Sequence, residues 1–255
     1  MKAFSTLVPA ALAASLCAAS LPAHATVIAD FQPLASAPDY KWVKDAARTD
    51  GHLFSINKGA DKSAQGVASA FMFLDPSLAA LGFLPTVFKI DATVADGNAA
   101  SFNPLANTFT QTGLNGAFRL TYSGADKTIG SIHLVNGENL LSGVFTNAFI
   151  QGFNGSGSIN LTAGDGTISV FSSALRDFSK TVECSEAFAL NLLSAHPGLH
   201  AAPGKALDNF QANGGGNFAS ASAPEPATWG LMILGFAGVG ALIRNRRRRV
   251  AGVLV

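Results

Sequence analysis

Apolar and polar residues alternate with a period of two over several stretches of this chain, the pattern of a strand with one buried and one wet face. In residues 88–94, Phe-Lys-Ile-Asp-Ala-Thr-Val, the apolar side chains share one face, and Lys89, Asp91 and Thr93 share the other. Residues 118–122 (Phe-Arg-Leu-Thr-Tyr), 131–135, 140–150, 158–162 and 167–171 repeat the pattern. Between them stand Asn136-Gly137, Asn154-Gly155-Ser156-Gly157 and Gly164-Asp165-Gly166, whose residues accept positive φ and permit tight reversals. Phe188, Leu190 and Leu192 alternate as in a strand, although residues 183–195 also fit a short helix ended by Pro197. Asp75-Pro76-Ser77-Leu78 combines an N-cap with proline at the first helical position, which predicts one short helix over 77–81. Consecutive strands at this spacing predict an all-β domain, a single antiparallel β-sandwich or a barrel-like meander.

Both ends of the chain depart from this pattern. Lys2 precedes an apolar run over residues 7–21 and then Ala23-His24-Ala25, the order of a secretory signal peptide, so cleavage after Ala25 leaves Thr26 as the first mature residue. Leu16 before Cys17 is not the small residue that a lipoprotein signal places there. Residues 229–243 carry no charge, and Arg244, Arg246, Arg247, Arg248 and Arg249 follow. At about 1.5 Å of rise per residue, that run spans roughly 22 Å of the ~30 Å hydrocarbon core. Ala227 and Thr228 lengthen it and the arginines can snorkel, so one transmembrane helix is expected over 227–243. A buried core helix would rarely stop at such a cluster. By the positive-inside rule the arginines are cytoplasmic, the preceding domain is outside, and Trp229 sits at the outer interface. Residues 211–223, with Asn213-Gly214-Gly215-Gly216-Asn217, are small and polar and read as a flexible linker.

Charge changes once the ends are set aside. Seventeen bases and 16 acids give the chain +1; without Lys2, the five tail arginines and Glu225, residues 26–223 hold 11 bases and 15 acids, a net −4. A nucleic-acid partner is therefore not expected. Of the two cysteines only Cys184 lies in the mature domain, so no intramolecular disulfide can form, and a buried thiol is expected.

Catalytic signatures are sparse. No Gly-x-Ser-x-Gly elbow occurs, and Ser55-Ile56-Asn57-Lys58 lacks the companion motifs of Ser-x-x-Lys enzymes. Asp91 with Asp96, or Glu183 with Glu186, are available carboxylate pairs, but only spatial pairing would give them glycosidase chemistry. His196 and His200 have metal-ligand spacing, yet Pro197 and Gly198 stand between them and argue for a loop. No catalytic residue, metal or cofactor is assigned. Tyr40, Trp42 and Tyr122 are the aromatic residues with polar edges that could stack on a sugar, although for Trp42 a place in the core is the commoner role.

Pro224-Glu225-Pro226, two residues, Trp229, a Gly-rich apolar run and an arginine cluster together resemble the PEP-CTERM sorting signal, in its Pro-Glu-Pro-x-x-Trp-Ala variant. Gly230 replaces the Ala, and residues 250–255 continue past the arginines, where the family usually ends. The resemblance covers residues 224–249, roughly a tenth of the chain. It implies that an exosortase, a membrane-embedded transpeptidase-like enzyme, recognises and processes the segment at Pro224, Glu225 and Pro226. It also implies association with exopolysaccharide or biofilm. A proline on either side of one acid keeps that handle extended.

The expected organisation is a signal peptide over 1–25, a β-rich ectodomain over 26–210, a linker over 211–223, the sorting segment over 224–249 and a cytoplasmic tail over 250–255. The expected function is that of a non-enzymatic exported envelope or matrix protein, passing once through the inner membrane before processing and reaching the cell surface afterwards. The alternatives are a carbohydrate-binding module and, more weakly, a secreted glycan-active enzyme.

Overall fold

In the computed structural model, the described residues are 25–34, 38–44, 50–56, 66–94, 97–163, 168, 171–178 and 185–221. The alternation of residues 88–94 extends over the whole of β5 (Phe83–Val94), where every even-numbered side chain is buried. The other strands are β1 (Ala25–Pro33), β2 (Tyr40–Lys44), β3 (Gly51–Ser55), β4 (Val67–Phe73), β6 (Ser101–Asn103), β7 (Thr108–Tyr122), β8 (Lys127–Ile129), β9 (Ile132–Leu134), β10 (Asn139–Phe153), β11 (Ile159–Ala163), β12 (Ser185–His196) and β13 (Phe210–Ala221). The expected helix near Ser77 is a single 3₁₀ turn, Ala79–Leu81, entered through Asp75, whose carboxylate accepts bonds from the Ser77 N–H and hydroxyl. From Ser185 on, β12 resolves the strand-or-helix ambiguity in favour of strand.

All pairings are antiparallel, and the large sheet closes on itself. From β5 the ladder runs through β7, β10, β11 and β12 to β13. Two short routes then lead back to β5. Near Ala221, β13 pairs with β1, which pairs with β4 and so with Phe83–Phe88 of β5. Near Phe210, β13 pairs with β2, which pairs with β3 and so with Phe54 to Gly51 against Asp91 to Val94. The ring therefore has eight positions, two of them filled by a pair of short strands set end to end. β8 and β9 form a separate two-stranded hairpin.

Closure turns the inner face into one enclosed core. Phe31, Phe88, Phe118, Phe145, Phe188 and Phe218 come from six different strands and meet there, with ring centroids 4.3 Å apart for Phe31 and Phe88 and 4.9 Å for Phe118 and Phe188. Offset and edge-on aromatic contacts of this kind add to the burial itself. Several polar groups that reach the interior are paired: the Ser69 and Thr86 hydroxyls lie 2.9 Å apart. The carboxamide of buried Gln111 accepts from the Leu207 N–H and donates to the Asn98 carbonyl.

The expectation of a flexible linker over 211–223 is wrong as far as Ala221. Those residues are β13, paired on both sides within the compact unit Ala25–Ala221. Its glycines serve close approach: a Cβ at Gly214 would lie 2.2 Å from the Asn191 carbonyl oxygen, and one at Gly216 would lie 2.4 Å from that of Ala189 and 2.8 Å from the Phe31 ring. The strand expected over 167–171 falls mostly outside the described residues; Ile168 and Ser172 make isolated bridges to Phe145 and Ser142. These bridges occupy the part of the β10 edge that short β11 leaves free, since β11 reaches only Phe149 to Gly152. Both membrane-related segments, 1–24 and 227–243, also lie outside the described residues, among which no helix is long and apolar enough to cross a membrane.

Gly51 supplies a test of the packing. A Cβ there would sit 2.1 Å from the Trp42 ring, so Gly51→Ala is expected to destabilise by about 1–3 kcal/mol. Trp42→Phe removes the indole donor from the buried Leu207 carbonyl and should cost a similar amount. Combined, the two should cost less than their sum by more than about 0.5 kcal/mol in urea titrations, because the smaller ring gives the methyl room; additivity would contradict the contact.

Candidate functional site

The three aromatic residues singled out for sugar stacking face inward. Tyr40, Trp42 and Tyr122 are 1%, 0% and 2% exposed. Tyr40 and Trp42 are two apart on β2 and so share its buried face. Trp42 stacks on Phe210 at 6.3 Å and donates its indole N–H to Leu207 at 2.9 Å. Tyr122 donates its hydroxyl to the Ala125 carbonyl. No ring face is left for a ligand, and burial rules out stacking through these residues.

Two carboxylates are buried. Glu186 points inward near the Ala221 end of β12 and accepts the Phe171 N–H at 2.5 Å. Burial pushes its pKa from 4.5 up to about 7, against the smaller downward pull of that N–H. Asp39, just before β2, is pushed from 3.8 up to about 6 by burial, and its Oδ2 makes no hydrogen bond. The Tyr40 phenol is raised well above its usual value, first by burial and then by the neighbouring Asp39 charge. Asp39 bonds β13 at Ala212, whereas Glu186 lies opposite Ser220. Eight residues of strand, roughly 27 Å, separate those levels, far beyond the spacing of a glycosidase pair. Of the pairs considered from sequence, Asp96 and Glu183 lie outside the described residues, and Asp91 is bonded to His52 at 2.7 Å. His196 ends β12 and His200 lies in the following loop, both exposed. Among the described residues no group of three or more His, Cys, Asp or Glu is placed to hold a metal.

The segment holding Phe171 lies across the gap between β10 and β12. Ser172 exchanges backbone bonds with Ser142, Ala174 bonds Asn139, and the buried Phe171 ring packs 5.9 Å from Phe118 and 5.8 Å from Phe218. Arg176 pairs with Asp75 and lies over the Phe178 ring. Burial works upward on Asp75, but bonds from Ser77 and the Arg176 guanidinium outweigh it and leave the carboxyl below its ordinary value.

On the outer face of the sheet, register brings Lys89 of β5 opposite Arg119 of β7, and Arg119 opposite Ser142 of β10, which bridges to Ser172. The next row is Asp91, Ala117 and Val144. Small side chains in that row leave a concavity of about 450 Å³ lined by these residues together with Gly143 and Phe118. The polar faces of both strands were legible in sequence; the register that sets one cation against the other was not.

The first and last strands meet at one end of the barrel. Ala25, the last residue of the expected signal peptide, pairs with Ala221, and Thr26 pairs with Ser220. The expected sorting residues Pro224, Glu225, Pro226, Trp229 and Arg244 to Arg249, the residue Ala23, and Cys184 lie outside the described residues. The described chain is thus a closed antiparallel barrel whose C-terminal strand runs directly into a separate tail. That tail is a PEP-CTERM sorting segment: residues 222–248 match the family model of the PEP-CTERM protein-sorting motif. No curated protein and no solved structure matches the chain.

The raised Glu186 pKa gives the barrel a pH dependence of definite sign. The folded state holds this proton more tightly than the unfolded chain, so the contribution is full below about 4.5 and is lost as pH rises through about 7. Glu186→Gln keeps an acceptor for Phe171 and removes the titration. Thermal unfolding should find the two proteins converging near pH 5 and the variant melting several degrees higher near pH 8; parallel profiles would contradict the assignment.

Proposed function

We propose that the chain is a non-enzymatic envelope protein: a β-barrel exported by its N-terminal signal, held by a single inner-membrane pass over residues 227–243, and processed by an exosortase at Pro224, Glu225 and Pro226. After processing it serves at the cell surface in association with exopolysaccharide. One observation carries the reading. The sorting motif begins at residue 222, directly after the last residue of β13, so the barrel is the cargo and the tail is its address. The charge-free run and the arginine cluster within the motif support the membrane pass and its orientation.

The glycan-active alternative loses support because the two buried carboxylates, Asp39 and Glu186, are far apart. A module that binds sugar through Tyr40, Trp42 or Tyr122 is excluded by their burial.

Fusing residues 222–255 to an exported reporter should reproduce retention and processing. Mass spectrometry of the protein recovered from cells should find Thr26 at the N-terminus and a C-terminus close to Pro224. A reporter that is never retained, or recovered chains that all extend to Val255, would remove the basis for this function.

A further inference from the structure

We propose that the Lys89–Arg119 row is a binding site for an acidic polysaccharide, with the carboxylates of its sugar units held by the two cations. The idea rests on the exopolysaccharide association proposed above and names the chemistry of that partner. Lys89 and Arg119 stand directly opposite each other on neighbouring strands, both exposed. Like charges in that relation repel and destabilise a sheet. Among the described residues neither cation has an acid or a hydrogen-bond partner, whereas Lys44 is paired with Asp208, Arg176 with Asp75, and Lys127 lies over Tyr122. The nearest acid in the groove, Asp91, is engaged by His52. Neither cation of the row is therefore ion-paired, and an anionic ligand supplies the partner.

The surroundings favour a sugar chain over a small ion. From Lys89 through Arg119 and Ser142 to the bridging Ser172 the row crosses three strands and one bridged segment, roughly 14 Å at 4.7–4.9 Å per step. Beside it, Ala117 and Val144 present an apolar step against which the C–H face of a sugar ring can lie, with Val144 53% exposed. Arg119 offers the planar fork that matches a carboxylate, and Lys89 adds a point charge. Ser142 is held in place by the Asn139 amide at 3.0 Å and marks the polar far side. Asp91 bounds the groove and repels an anion from that edge. The domain is net negative overall, so attraction of a polyanion is confined to this row rather than spread over the surface.

Native electrophoresis of the full chain through gels containing polygalacturonate tests the proposal, with dextran gels as the neutral comparison. Wild-type protein should be retarded by polygalacturonate alone, and less so as salt is raised. Lys89→Gln/Arg119→Gln should weaken retardation at least tenfold in polymer concentration, while Lys205→Gln, an exposed cation elsewhere, should leave it unchanged. The double variant removes a repulsion, so it should melt at or above the wild-type temperature, which checks that it is folded. Both variants keep the tail arginines; retardation that survives in the double variant belongs to the tail and overturns the proposal. Equal retardation in dextran, or complete release by millimolar sulfate, overturns it as well. Fractionation of wild-type cells with and without their polysaccharide tests the association itself, so the groove and the association can fail separately.

Discussion

The fold depends on how closely β13 approaches its neighbours. This strand is paired with β12 along its length, with β1 at one end and with β2 at the other, and it therefore holds both return routes to β5. Its glycines let the backbone of β12 and the ring of Phe31 come near enough for the sheet to close. Without closure the phenylalanine side chains would line an open, wet surface. With closure they form one core, whose burial stabilises at roughly 25 cal/mol per Å² of apolar surface removed from water.

The same strand explains what sequence reading found and what it missed. Most of the long central strands were legible because their faces alternate cleanly, β5 above all. β13 was not, because Gly214 and Gly216 occupy buried positions that a reader expects to be filled by large apolar side chains. A run of glycines looks like freedom in one dimension and is a tight fit in three. The misreading of Tyr40, Trp42 and Tyr122 has a related cause. Their polar edges suggested a wet role, but all three rings are buried, the Tyr122 hydroxyl bonds the nearby Ala125 carbonyl, and the Trp42 indole bonds the distant Leu207 carbonyl. The sorting motif was legible because it is a linear pattern: the family model covers residues 222–248, against 224–249 read from the sequence. The basic row was invisible for the opposite reason: Lys89 and Arg119 are 30 positions apart, and only strand register makes them neighbours.

The barrel and the tail divide the work in physical terms. The tail carries the address, written in prolines, an apolar run and arginines. Among the described residues the barrel interior is filled with apolar and aromatic side chains, and the charged side chains stand mostly on the outer face. On that face Lys89 and Arg119 stand directly opposite each other with no ion-pair partner among the described residues.

The meeting of Ala25 with Ala221 joins residues 196 positions apart. A contact so distant in sequence forms late, because most of the chain must be ordered before it is gained. A barrel sealed by β1 and β13 cannot be completed until β13 is available to pair. The ring therefore closes only when the segment immediately before the sorting motif is in place, which ties completion of the barrel to the arrival of its own address.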